Sequence, residues 1–337
     1  MKKAYPVILK YTIVIGIISL LVWLSFRHFT NKNWHDLLNA LAHARYILLL
    51  PVFILLLASH IFRSLRWKQL IEPMGYEPPL FDLYCALLTG YLANQFLPRG
   101  GEVIRCTVIT KQHKIPLEKL IGTIITERAV DICCLLLVGV SIFFMQYQLL
   151  NVFMHNAQHS LSSTTKEDRI KHWLIALAVI AIIALALYVT KKLSQKFSSF
   201  LVKIFKGFKE GFSSIKRVRS RFKFIAYTIL MWCCYIFSTW LGCFAMQETQ
   251  HLNLACGIVL LFAGTLGIIV TPGGVVAYPL AIQAALTFYG ITDDIGLAFG
   301  WLLWCSQFIF TSFFGTLAYI AINWKRRKYE KYSLRSA

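Results

Sequence analysis

The chain has 337 residues, of which 57% are hydrophobic and 15% charged, with a formal net charge of +20 and a mean hydropathy of +0.60. A soluble globular chain carries about a quarter charged residues, so a single water-surrounded core is excluded, and several bilayer spans of about 20 residues each account for the apolar surface. The positive charge sits between apolar runs with no nucleic-acid motif beside it, which favours positive-inside topology and anionic lipid headgroups as its partners.

The stretch Met1 to Phe26 has the charged-then-apolar order of a signal peptide, but its apolar run (7–26) is long and lacks a small-residue cleavage site. It is expected to be a retained first span. A second run at 46–62 closes on His60-Ile61-Phe62-Arg63-Ser64-Leu65-Arg66-Trp67. Arginines and a tryptophan at a helix end suit an interfacial belt, with phosphate binding by Arg63 and Arg66 as the sharper alternative. The next segment, 80–97, is apolar but interrupted by Asp82, Asn94 and Gln95. It stops at Pro98-Arg99-Gly100-Gly101, followed by Glu102, Val103, Ile104 and Arg105. Proline and two glycines allow a sharp turn that brings backbone N–H groups close to a ligand. Arg99 and Arg105 offer planar forks for a phosphate, and Glu102 can orient one of them.

The run at 120–145 carries Thr126-Glu127-Arg128-Ala129-Val130-Asp131 in its first half, followed directly by apolar residues. Glu127 and Asp131, four apart, share one helix face, while Arg128 points about 100° away. Charges at the start of a span are costly unless paired or wet, so Glu127 and Asp131 are expected to meet Arg63, Arg66, Arg99 or Arg105. The polar loop from Tyr147 to Lys171 offers no motif; His155 and His159 are four apart but lack a carboxylate partner. A run at 173–190 leads into the longest basic stretch, 191–223. There Leu193, Phe197, Phe200, Leu201, Ile204, Phe205 and Phe208 alternate with lysines in the pattern of an amphipathic interfacial helix. After a run at 224–246, the segment 254–290 breaks at Thr271-Pro272-Gly273-Gly274. A helix starting near Val275 would present free N–H groups and a positive dipole end to an anionic headgroup. The last run, 294–322, ends in the basic tail beginning at Lys325.

The charges order these elements. The stretch 191–223, the tail, the segment around Arg63, Arg66 and Lys68, and Lys2 with Lys3 all belong inside. They are satisfied together only if 80–97 does not cross, which makes it a re-entrant hairpin open to the cytoplasm. Segment 254–290 is then a pair of half-helices dipping in from outside, or two short spans; parity permits both. The expectation is an all-α polytopic membrane protein of six full spans plus two interrupted segments, or about eight spans, with both termini cytoplasmic in a cell (inner) membrane. Two broken segments, one from each face, resemble the inverted arrangement of secondary transporters.

Catalytic motifs are missing: no HExxH, GxSxG or phosphate-binding loop occurs. The nine cysteines include the adjacent pairs Cys133-Cys134 and Cys233-Cys234 but no CxxC, and they read as packing residues. No cofactor or metal is expected.

Arg63-Ser64-Leu65-Arg66-Trp67, the stretch from Asn94 to Arg105, Glu127-Arg128-Ala129-Val130-Asp131 and Pro272-Gly273-Gly274 occur in an order that resembles the membrane domain of lysylphosphatidylglycerol synthases. That flippase-like family also has stand-alone members. The resemblance covers about 7–325, leaves 326–337 as a basic tail, and implies lipid translocation without the soluble synthase domain. It implies a substrate site built from Arg63, Arg66, Asn94, Arg99, Glu102, Arg105, Glu127, Arg128, Asp131, Pro272, Gly273 and Gly274. One departure stands out: members often continue Pro-Gly-Gly with Leu-Gly-Val-Phe-Glu, whereas this chain reads Val275-Val276-Ala277-Tyr278-Pro279 and lacks the glutamate. Three functions follow in order: a flippase for a phospholipid or other anionic lipid, a membrane subunit docking a glycan or lipid synthase through 191–223, and a lipid-modifying enzyme using Glu127 or Asp131 as base. A homo-oligomer or a synthase partner fits the first two.

Overall fold

The computed structural model of the chain describes residues 30–96, 100–145 and 220–333, with Ser19, Trp23, Phe26 and Val218. The expected elements at 147–171 and 173–190, and most of those at 7–26 and 191–223, lie outside the described residues. Two compact units are distinguished, one of 1–124 with 217–337 and one of 125–216.

Every regular element among the described residues is helical: α1 (Asn31–Ala42), α2 (Leu49–Ile71), α3 (Leu80–Phe96), α4 (Gly100–His113), α5 (Leu117–Met145), α6 (Arg221–Gly242), α7 (Leu254–Val270), α8 (Ala277–Thr287) and α9 (Asp293–Ser333). Helix α1 starts in a capping box, with Thr30 and Asn33 exchanging side-chain bonds to each other's backbone N–H. Four helical stretches are long and apolar enough to cross a bilayer: Tyr46–Met74, Leu117–Met145, Arg221–Ala245 and Asp293–Lys325. They contain the runs expected at 46–62, 120–145 and 294–322 and all but the last residue of 224–246. Their outward apolar side chains, such as Ile54, Ile229, Ile309 and Ile320, are exposed, as lipid contact requires. The protein is an all-α polytopic membrane protein.

The first interrupted segment differs from the expectation in one respect. Residues 80–96 form a single unbroken helix, and the return limb is α4, which lies beyond the expected 80–97 segment. The reason is length: 17 residues make about 25 Å of helix, enough for one limb and not for entry and exit. The limbs run antiparallel. Near the tip Gly101 N donates to Asn94 Oδ1 at 2.8 Å, and at the open end His113 Nε2 lies 2.9 Å from Asp82 Oδ2. Between them the backbones of Gly90 and Gly101 touch: a Cβ on Gly90 would stand 2.7 Å from Gly101 O. Only glycine permits this approach.

The second interrupted segment is also a hairpin, of α7 and α8. A Cβ on Gly267 would stand 2.7 Å from Ala277 O, so these limbs are equally close. Its tip turns through Gly273 (φ +64), Gly274 (φ +72) and Val276 (φ +65). Val276, with ψ −45 and an Ala277 N to Val275 O bond of 2.7 Å, is a γ-turn of the strained hand, held by burial of a β-branched side chain.

Helix α9 serves as a ruler for both hairpins. Its Gly296 packs on Gln283 and its Gly300 on Pro279. Trp304 Nε1 donates to Gly273 O at 2.9 Å. Four residues on, the Phe308 carbonyl accepts from Gln95 Nε2 at 3.1 Å, and Ser312 Oγ donates to Gln95 Oε1 at 2.9 Å. Gly315 then fits against Leu88 and Leu92, and Lys325 reaches Asp82. The second hairpin therefore lies along the first half of α9 and the first hairpin along the second half. They enter from opposite ends of one helix, and their tips meet where a Cβ on Gly273 would stand 3.6 Å from Gln95 O.

Candidate functional site

Helix α2 carries Arg63, Arg66 and Trp67 at spacings that share one face. Arg63 is 7% exposed. Its Nη1 donates to the Tyr91 hydroxyl of α3 at 2.7 Å and, at a longer 3.5 Å, to the Tyr235 hydroxyl of α6. His60, one turn earlier, packs its ring 4.8 Å from that of Tyr91. Arg66 and Trp67 are fully buried, with the Arg66 guanidinium 6.0 Å from the Phe224 ring. Arg105 of α4, also buried, places its guanidinium 4.6 Å above the Trp67 ring, a cation–π contact. The Trp67 indole is fixed in turn by a 2.8 Å bond to Thr123 Oγ1.

This corrects the reading of Arg63, Arg66 and Trp67 as an interfacial belt. Helix α2 continues past them to Ile71, and α3, α4 and α6 cover them. Guanidinium groups buried at this depth are expensive, and three of them converge here on one helical bundle. Tyr91 lies one turn from Gln95, so the arginines stand beside the junction of the hairpin tips.

The other expected site residues fall into distinct places. Asn94 is committed to Gly101 N and works as a cap for α4. Glu102 lies in the first turn of α4, where the positive end of the helix favours a carboxylate. Arg99 lies outside the described residues. In the second unit, Glu127 is fully buried, and Arg128 Nη1 stands 3.9 Å from Asp131 Oδ2, one turn along α5.

At Pro272-Gly273-Gly274 the expected cradle of free N–H groups is smaller than the sequence suggested. Helix α8 begins at Ala277, not Val275. The Ala277 N–H is bound to Val275 O, Gly274 N to Thr271 O at 2.9 Å, and Pro279 has no N–H to give. The turn instead offers a carbonyl, Gly273 O, to Trp304.

Tertiary contacts add a cluster that pattern reading had noted only as an interruption. Asp82 in the first turn of α3 is buried and bonded to Lys325 Nζ at 2.6 Å and to His113 Nε2 at 2.9 Å. Burial pushes the Asp82 carboxyl up, but the hydrogen bonds from His113 and Lys325, and their charges, hold it below its ordinary value. It is therefore a carboxylate at neutral pH. An acid inside an apolar run was the signal that could have found it. At the other end of α9, Asp36, Asn39, His43, Gln247 and Glu248 line an open cavity of about 320 Å³ near Ile295. Among the described residues no group of three or more His, Cys, Asp and Glu is placed to hold a metal ion.

Comparison with known proteins places these features. The family described as the lysylphosphatidylglycerol synthase TM region matches residues 7–315. A UPF0104 membrane protein of Methanocaldococcus jannaschii is 30% identical over 89 residues, 26% of this chain and 26% of that protein. The match thus spans about a quarter of the relative's length. No solved structure matches the chain.

Proposed function

The chain belongs to the lysylphosphatidylglycerol synthase transmembrane family, and on that premise we propose that it moves a phospholipid-like or lipid-linked substrate between the leaflets of a bilayer. One observation carries the reading: two hairpins enter along α9 from opposite ends, and their tips meet beside three buried arginines. Non-helical backbone at membrane depth is tolerated only against protein or a watery cavity, and arginine forks suit a phosphate diester. In this reading the headgroup phosphate passes Arg63, Arg66 and Arg105 while the acyl chains stay in lipid. Parting of the contact between Gln95 and Gly273 opens the path between the hairpins. With Lys325 and the tail cytoplasmic by the positive-inside rule, the first hairpin opens to the cytoplasm and the second to the outside.

Arg105→Ala should lose most translocation of a fluorescent phospholipid in liposomes. Arg105→Lys, which keeps the charge and loses the fork, should fall between it and the wild type. Size-exclusion profiles check that both variants remain folded. A monodisperse Arg105→Ala protein that moves lipid at the wild-type rate overturns the site.

A further inference from the structure

The Asp82 cluster takes no part in the site just described; it lies nine residues nearer the open end of α3 than Tyr91. Asp82 is 2% exposed, whereas its two donors are partly open, Lys325 at 28% and His113 at 25%. The donors reach the surface and the carboxylate does not. Lys325 also lies 5.7 Å from the Phe81 ring, and beside His113 the Gln112 amide donates to Ile322 O at 3.2 Å. Three helices, α3, α4 and α9, are thereby tied together at the mouth of the first hairpin. Separating them leaves the cations without a counterion unless another anion takes over the donors, and the Asp82 carboxylate is then solvated by the water that the opened mouth admits. A phosphate oxygen accepts the same charge-assisted bonds as a carboxylate. Lys111, Lys114 and Lys119 near this end make the mouth attractive to anions.

We propose that Lys325 and His113 form an anion site at the mouth of the first hairpin, where the phosphate of an anionic lipid headgroup displaces Asp82 and so releases the hairpin from α9. The site rests on the translocation reading and adds to it an entry step: the mouth opens in exchange for a headgroup, and stays shut without one.

Cys85, one turn from Asp82 and buried, is a native reporter of this opening. Cys243, buried in the apolar core around the second hairpin, is the control. The full-length protein is reconstituted in phosphatidylcholine vesicles, alone, with phosphatidylglycerol added, or with inorganic phosphate added. N-ethylmaleimide labelling of each cysteine is then followed by mass spectrometry. Phosphatidylglycerol should raise labelling of Cys85 severalfold and leave Cys243 unchanged. Asp82→Asn and Lys325→Gln should each raise Cys85 labelling severalfold in phosphatidylcholine alone and abolish the response to phosphatidylglycerol. The charge swap Asp82→Lys with Lys325→Asp should restore slow labelling. Unchanged Cys85 labelling on adding phosphatidylglycerol, or in Asp82→Asn, overturns the proposal. So does a parallel rise at Cys243, which signals general loosening. An equal response to inorganic phosphate overturns the lipid assignment. The readout needs no lipid to cross, so a mouth that opens in a protein that moves no lipid refutes translocation and leaves the site standing.

Discussion

The two hairpins are docked on the same helix by different forces. The first is held on α9 by polar groups along its length: Gln95 with Phe308 O and Ser312 at the tip, Gln112 with Ile322 O and Asp82 with Lys325 at the mouth. The second is held more by steric fit, with one polar bond from Trp304 Nε1 to Gly273 O, while the first adds one close glycine contact, Gly315 against Leu88 and Leu92. Gly296 and Gly300 of α9 take up Gln283 and Pro279, and Ile282, Leu286 and Phe299 are fully buried. A polar bond can be exchanged for an equivalent one from a ligand, whereas a glycine contact has no substitute. The difference separates a hairpin docked largely by polar bonds from one docked largely by close packing.

The strongest way to break this contrast is to add bulk to the close-packed side. A Cβ on Gly300 would stand 2.7 Å from both the Cα and the carbonyl oxygen of Pro279. Gly300→Val should therefore cost about 3 kcal/mol or more through overpacking, seen as lost monodisperse yield and a lowered Tm in detergent. Retention of the wild-type Tm would mean that the second hairpin is not held by this contact. A smaller effect is expected from Trp304→Phe, which deletes the indole bond to Gly273 O and keeps the ring. Interhelical bonds in membranes contribute about 0.6 kcal/mol, up to roughly 1.7, so thermal unfolding should shift by only a few degrees. The smallest change is Ser312→Ala, which removes one of the two bonds on Gln95 and leaves Gln95 Nε2 on Phe308 O. Its cost should be about 0.6 kcal/mol or less. If instead it unfolds the protein as Gly300→Val does, the two docking modes are not distinct.

Local features of the chain made much of this legible. The apolar runs announced their helices because crossing a bilayer needs a fixed length of apolar chain. Glycine marked both hairpin tips, at 100–101 and 271–276, because close turns need residues that tolerate them. The start of α8 escaped because Val276 adopts a positive φ that its own type disfavours, and only the packing around it enforces that conformation. Arg66 and Trp67 read as interfacial because a helix end rich in arginine and tryptophan looks the same whether lipid headgroups or other helices cover it.

By itself the sequence determined an all-α polytopic membrane protein with two interrupted segments. Tertiary structure alone decided that α4 is the return limb of the first hairpin, that the tips of the two hairpins meet at Gln95 and Gly273, and that Asp82 is clamped by Lys325. These facts join residues far apart in the chain, 217 positions between Gln95 and Ser312 and 243 between Asp82 and Lys325. Hydrophobic length and turn chemistry act within a few residues, whereas such pairings depend on how whole helices pack, which no local pattern encodes.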